Sequence, residues 1–537
     1  MQKTFSYKAL IAIVVLGTIL RAVNLFWGSP FFFHPDERNI ANAISGMRFP
    51  DQLNPHFFAY GSLPIYVTFF LGLVKNLFSQ EVISPNKVGF EDAVVILRFF
   101  SFLFSCGTIL LVYKIGALLK NKSAGIISAY ITSTGVGMIQ YAHFGTFEMW
   151  LTFFLALLFL SVLLYQKSPS LAHALLLAFS LSVLIGVKIS SVIYLPFISL
   201  IFFQKNYTLI KKSLIAGGAL LSAAIFYSIT NPFTFLDTRS FINSITYESN
   251  VALGKIVVFY TGEFLTATPI VFPFLKIYPH LVNPIHTVLI PLSIAVLIIT
   301  LTKKFNIELV YLLIFFFTSF LSQTFLFAQW TRYFVPTLPF IYLMLSLTAI
   351  IIYESSKKNK KTLIFLGGIA GVLNLVFAFS FVKTVYLEKD TRIEAVTFAK
   401  INIPTNKKIL SEIYDLGIIP FNQYYPSVEL FNFYDLENNS PDATLTIYKD
   451  KIAQSDYLVL PSQRLYQTRL HDPVHFPKGN KIYKQIDNST TYKKIYETPC
   501  DFWCKIAYSF DPIFGPEQTV NVFDRPTVMI FKINYEK

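Results

Sequence analysis

The sequence predicts a multi-pass α-helical membrane protein, with about 11 transmembrane helices at ~20 residues each, followed by an extracytoplasmic C-terminal α/β domain. Three observations predict it. Of 537 residues, 54% are hydrophobic and only 14% charged, with 56 Phe and 30 Tyr, outside the range of soluble domains. Near-continuous apolar runs reach the length needed to cross a hydrocarbon core of about 30 Å. Beyond residue 386 the composition turns to Lys, Asp, Asn, Pro and Tyr, with short alternating stretches at 457–460 and 527–531 that read as strands. A soluble cytosolic enzyme and a disordered chain are excluded, and 3 cysteines are too few for a disulfide framework.

The first apolar run, 9–27, follows Lys3 and Lys8, carries Arg21 and lacks a small-residue cleavage site, so it reads as a retained anchor. Further spans are expected at 91–113, 124–142, 149–166, 170–187, 190–204, 213–230, 286–302, 308–326, 335–353 and 363–386. Between them lie short basic loops at Lys114, Lys120 and Lys122, at Lys205, Lys211 and Lys212, at Lys303 and Lys304, and at 357–361. Positive-inside logic makes those loops cytoplasmic. The net charge of +14 is then a topology signal and a contact with anionic headgroups, and no nucleic-acid partner is expected. Counting 63–78 as a span would put the basic loops outside, so it reads as an interfacial or re-entrant helix, with Lys75 and Asn76 at headgroup depth. The expected arrangement in the cytoplasmic membrane has the N-terminus inside and the C-terminus outside. It divides the chain into 1–386, with outer loops 28–62 and 231–285, and a domain at 387–537 of foldable size.

Few polar residues fall on the outer face: His34-Pro-Asp36-Glu37-Arg38, Asn54-Pro-His56-Phe-Phe-Ala-Tyr60, His143 with Glu148, Asp237 and Glu248 in the long loop, and Arg332 beside Tyr333. Pro35 opens a helix with acids where its dipole favours them, which by itself is ordinary helix-start chemistry. Ile40, Ile44 and Met47 fall at helical spacing, so one face is expected on the membrane, holding a carboxylate at fixed depth. Arg21, Arg98 and Lys383 near span ends read as snorkelling side chains. Lys188 and Arg332 are cations placed to meet a lipid phosphate. His34, His56 and His143 have no His-x-x-x-His or Cys pair beside them, so no metal is expected. Asp237 and Glu248 fit loop structure or chemistry equally. Cys500 and Cys504, four apart in the outer tail, allow either a bridge or two thiols. Cys106 reads as a small apolar residue in a span. Asn438 and Asn488 match the glycosylation pattern.

In this order and spacing the motifs carry a resemblance. The chain resembles the GT-C glycosyltransferases, membrane enzymes with a polyprenyl-phosphate sugar donor, in the group of the dolichyl-phosphate-mannose protein mannosyltransferases and lipid A aminoarabinose transferases. The resemblance runs from His34-Pro-Asp36-Glu37 and Asn54 to Tyr60 through Tyr141 to Glu148, Gly186-Val-Lys188, Asn231 to Asp237, Tyr247-Glu248-Ser249 and Arg332 to Pro336. In the tail, 455–464 and 522–531 are similar to a bacterial subgroup. The resemblance implies that Asp36 is the catalytic aspartate and Glu37 its acidic neighbour. It places Glu148 where relatives carry a second outer acid, usually Asp, and Lys188 and Arg332 near the carrier phosphate. His56 and Tyr60 belong to a loop implied to face the substrate. The tail departs from the pattern at Phe523-Asp-Arg-Pro, where relatives more often show Tyr-Asp-His-Pro, a stretch read as structural.

The implied activity moves a hexose or pentose from a lipid-linked donor, as cosubstrate, to a protein, lipid or glycan acceptor. One carboxylate without a covalent partner fits inversion by single displacement, and no nucleotide fingerprint or other cofactor is expected. The alternative is a secondary transporter or flippase for lipid-linked sugars, which predicts mid-span charges and repeated halves. A third reading is an envelope scaffold whose tail binds glycans.

Overall fold

A computed structural model describes residues 2–78, 85–203, 207–437 and 441–534; Asn438 lies outside them. Among the described residues, seven helices are long and apolar enough to cross a membrane: Phe90–Leu119, Glu148–Lys167, Leu209–Thr230, Pro284–Lys303, Ile307–Thr324, Thr331–Ser355 and Lys360–Leu387. The expectation of about 11 spans differs from this count at identifiable places. The run 124–142 breaks into Lys122–Ser133 and Val136–Gln140, where Thr134 caps the first piece and its hydroxyl bonds Tyr130 and Asn374. The first run, expected as a span over 9–27, is the helix Gln2–Ala22; Leu171–Val187 is a shorter apolar helix, as is Leu63–Phe78, which is not one of the expected spans. Residues Ile189–Phe203 form a 3₁₀ helix with Pro196 inside; at about 2.0 Å rise per residue these 15 residues reach as far as a longer α-helix.

Two arginines correct the snorkelling expectation. Arg21 is wholly buried and donates to Ser105 Oγ (2.7 Å) and to the carbonyls of Gly17 (2.8 Å), Ser133 (2.7 Å) and Thr132 (2.8 Å). It thereby satisfies the open carbonyls at a helix C-terminus, where a cation is favoured. Arg98 is wholly buried as well, against Glu37. Lys383 reaches the tail, pairing with Glu388 and Asp501.

The helix Pro35–Gly46 also departs from expectation. Its apolar stripe, Ile40, Ile44 and Met47, is 0% exposed and packs on Phe90–Leu119 and Leu63–Phe78. Protein, not lipid, covers that face.

The tail carries one five-stranded sheet, β1 (Ile409–Glu412), β2 (Val428–Phe431), β3 (Tyr457–Leu460), β4 (Tyr492–Glu497) and β5 (Met529–Ile533), in the order β2-β1-β3-β5-β4. β1 pairs in parallel with β2 and β3, while β5 runs antiparallel to β3 and β4, with Leu458 opposite Phe531. Period-2 alternation sends Leu410, Leu458 and Phe531 to one face, under helices Pro441–Ala453 and Pro477–Asn488. Ile409, Val459 and Ile530 go to the other, under helix Thr391–Asn402. The stretch 500–523 returns to the helical body: Cys500 and Cys504 are bridged, with Cα atoms 5.2 Å apart, Trp503 packs on Phe379, and Val520, Val522 and Phe523 join the body's core. Asn488 ends helix Pro477–Asn488 and is exposed.

Candidate active site

Adjacent residues on a helix point about 100° apart, and this rotation separates the acidic pair. Glu37 turns inward and receives Arg98 through both oxygens (Nε–Oε2 2.8 Å, Nη2–Oε1 2.7 Å) and the Gly145 N–H (2.7 Å). The other donors of Arg98 reach the carbonyls of Leu25 (3.0 Å) and Trp27 (2.9 Å). A buried pair persists only when fully bonded in this way. Glu37 therefore fastens its helix to Phe90–Leu119 and to the 143–147 turn, and it does not line the cavity described below. Asp36 turns outward, 24% exposed, and pairs with Arg332.

His34 caps this helix, its Nδ1 accepting the Glu37 N–H at 3.4 Å. Its ring lies between Phe144 and Phe523, 4.5 Å from each, and burial pushes its pKa down to about 4. The neutral imidazole can thus accept.

Arg332 sits in the turn Thr331–Phe334 with its guanidinium over the Trp330 ring at 4.8 Å and the Tyr333 ring at 5.6 Å. Buried Glu517 of the tail holds that turn, accepting from the Thr331 N–H (3.1 Å) and hydroxyl (2.5 Å). Lys188 follows the helix Leu171–Val187, where the Gly61 N–H donates to the Val187 carbonyl at 2.8 Å. A Cβ on Gly61 would overlap the Gly186 carbonyl, so only glycine permits the approach. Asn231 ties the same point, accepting the Ser62 N–H (2.5 Å) and donating to Gly186 O (3.3 Å). The ammonium of Lys188 is left 5.5 Å from the Tyr60 ring centre and 4.6 Å from that of Tyr333, with no carboxylate within 4.0 Å among the described residues.

Asp36, Tyr60, Lys188 and Arg332 line one cavity of about 750 Å³. Burial holds the Tyr60 phenol well above its ordinary range and raises the carboxyl of Glu248, which shares the wall. Glu148 is buried with Oε2 lacking a hydrogen-bond partner and lies off the lining. His56 is exposed, 4.0 Å from Asp237, and also lies off it. The tail supplies a further wall, to which the sequence assigned no role: Tyr414, Asp415, Ser462 and Arg464 face the cavity, the last two within the stretch 455–464. The available signal was their position just after β1 and β3, where open α/β sheets bind ligands.

Several solved structures share this fold. The oligosaccharyltransferase AglB of Archaeoglobus fulgidus, in complex with an inhibitory peptide and a dolichol-phosphate, superposes with a TM-score of 0.54 at 11% identity, over 99% of this chain and 89% of that one. The same enzyme tethered to an acceptor peptide containing the NVT sequon gives 0.52 at 13%, with 99% and 89% covered. ArnT of Cupriavidus metallidurans bound to undecaprenyl phosphate gives 0.50 at 11%, with 99% and 98% covered. The chain shares the fold of these AglB and ArnT structures. No protein-family model and no curated protein matches the chain. Another AglB structure is a complex with zinc and sulfate; here Asp36 pairs with Arg332, and among the described residues no three His, Cys, Asp or Glu gather.

Proposed function

We propose that the chain transfers a sugar from a polyprenyl-phosphate carrier to an acceptor on the outer face of the cytoplasmic membrane, with its N-terminus inside and its tail outside. One observation carries the reading: the wall that places Asp36 beside Arg332 and Lys188 shares Ile193 and Ser322 with an apolar groove of about 520 Å³ bordered by Leu301, Val310, Leu313 and Phe317. A polyprenyl phosphate needs both environments, cations for its head and hydrocarbon for its tail. The dolichol-phosphate and undecaprenyl phosphate in the AglB and ArnT structures support the same ligand class.

In this reading the acceptor oxygen forms a bond to the anomeric carbon as the bond from that carbon to the phosphate oxygen breaks. The electron pair leaves with the polyprenyl phosphate, and the acceptor proton passes to Asp36 as general base. Arg332 orients the Asp36 carboxylate, and Arg332 with Lys188 stabilises the charge that grows on the departing phosphate in a site partly closed to water. Phe523, Asp524 and Arg525 stay structural: Asp524 accepts from Gln140 at 2.9 Å.

The test presents purified protein in lipid with a panel of labelled hexosyl and pentosyl polyprenyl phosphates and reads transfer and product configuration by NMR. The proposal expects one donor to be consumed with inversion at the anomeric carbon. A donor that crosses the bilayer unconsumed would favour transport, and a retained configuration would refute single displacement.

A further inference from the structure

The cavity has a second half that the donor chemistry does not use. β1 and β3 are parallel neighbours, and the chain leaves their carboxyl ends toward opposite faces of the sheet. After β1 it passes to the face of Ile418 and Phe421; after β3 it passes to the face of Leu465. Such a divergence opens a crevice between the two loops, the usual ligand position in open α/β sheets. Here the crevice opens onto the cavity of Asp36, through Tyr414, Asp415, Gly417, Pro461, Ser462 and Arg464.

We infer that this crevice binds the acceptor, and that the acceptor is a neutral saccharide; the inference rests on the transferase reading. Arg464 is 9% exposed, and its Nε has no hydrogen-bond partner. Its Nη1 stands 4.0 Å from Asp415 Oδ1, while Asp415 Oδ2 accepts the Ser462 hydroxyl at 2.5 Å. The two charges offset one another, so this wall by itself offers no surplus cation to an anion. They place a guanidinium edge beside a carboxylate acceptor on the cavity wall, which matches neighbouring sugar hydroxyls that both donate and accept. Tyr414 and Phe259, 45% and 38% exposed and stacked at 4.2 Å, add an apolar surface for the C–H face of a sugar ring.

The experiment measures binding of maltotriose, mannotriose and chitotriose to the full chain in lipid nanodiscs by calorimetry, with hydrogen exchange on the unmutated chain. At least one trisaccharide binds saturably, and Arg464→Met and Asp415→Asn each weaken it about tenfold or more. Exchange slows at 413–417 and 461–464, a readout that stands even where a variant fails to fold. Absence of binding by all three, equal binding by folded variants, or protection confined elsewhere would overturn the inference. Saccharide binding at the crevice with donor bound but never turned over would instead overturn the transferase reading, and leave a saccharide-binding crevice without an acceptor role.

Discussion

Arg98 and Glu37 illustrate how much depends on a single buried charge. Removing one partner leaves the other uncompensated, at a cost of about 3–5 kcal/mol, whereas replacing both by apolar residues of similar volume is often neutral. Arg98→Met is expected to lower the melting temperature and folded yield sharply, and Arg98→Met with Glu37→Leu to recover much of the loss. Thermal unfolding in detergent checks this; equal stability of the single and double variants would refute the pairing argument. His34 provides a pH dependence. Its folded pKa is depressed by burial from 6.5 to about 4, so below about pH 6.5 the unfolded chain binds a proton that the folded chain refuses, and stability falls as pH drops toward 4. His34→Asn retains a capping acceptor and is expected to flatten that fall in a pH series of melting temperatures.

Among the elements, the turn that carries Arg332 depends on the tail, since Glu517 holds Thr331. Glu517→Ala removes the hydrogen bonds to Thr331, worth about 0.5–1.5 kcal/mol each, and is expected to lower turnover at least about tenfold with carrier binding changed much less. A parallel loss of both would instead mean general unfolding. The helices were largely legible because an apolar run must bury or meet lipid; their ends were not, and in the structure Asn121, Asn283 and Asn306 cap three of them. What covers a face was not legible: periodicity marked Ile40, Ile44 and Met47 as apolar without distinguishing lipid from the helix Phe90–Leu119. The same ambiguity hid Arg21 and Arg98, because a span-end arginine can reach water or a neighbouring helix end, and only tertiary packing decides. The motif His34-Pro-Asp36-Glu37 marked the helix that borders the cavity, but the helical rotation that gives Asp36 to the cavity and Glu37 to the core required the structure.

Across the whole molecule, the tail and the helical body share one cavity and one seam of buried acids. Asp524 is pushed up to about 7 by burial, and Glu263 and Glu517 are raised by burial, in Glu263 with the Glu517 charge as a further cause. A raised carboxyl contributes stability that is present below its unfolded pKa, near 4, and lost as pH rises through its folded value. Tail docking is therefore expected to loosen between about pH 4 and 8, seen as faster proteolysis at 387–534 on the alkaline side; a rate independent of pH would contradict it. The place of Asp415 and Arg464 at Asp36's cavity escaped sequence reasoning, although 455–464 was marked, because they meet it only through the packing of segments distant in the chain.

The measurement that bears most directly on the account is single-turnover release of polyprenyl phosphate from a polyprenyl-phosphate sugar, by the wild-type chain and by Asp36→Asn in nanodiscs, with donor binding measured alongside. The account predicts release by wild type, a loss of about 10²–10⁴-fold in the variant, the range for a removed general base, and donor binding retained. Equal release by both proteins would contradict the assignment of Asp36, and donor bound but never cleaved by either would contradict the transferase itself.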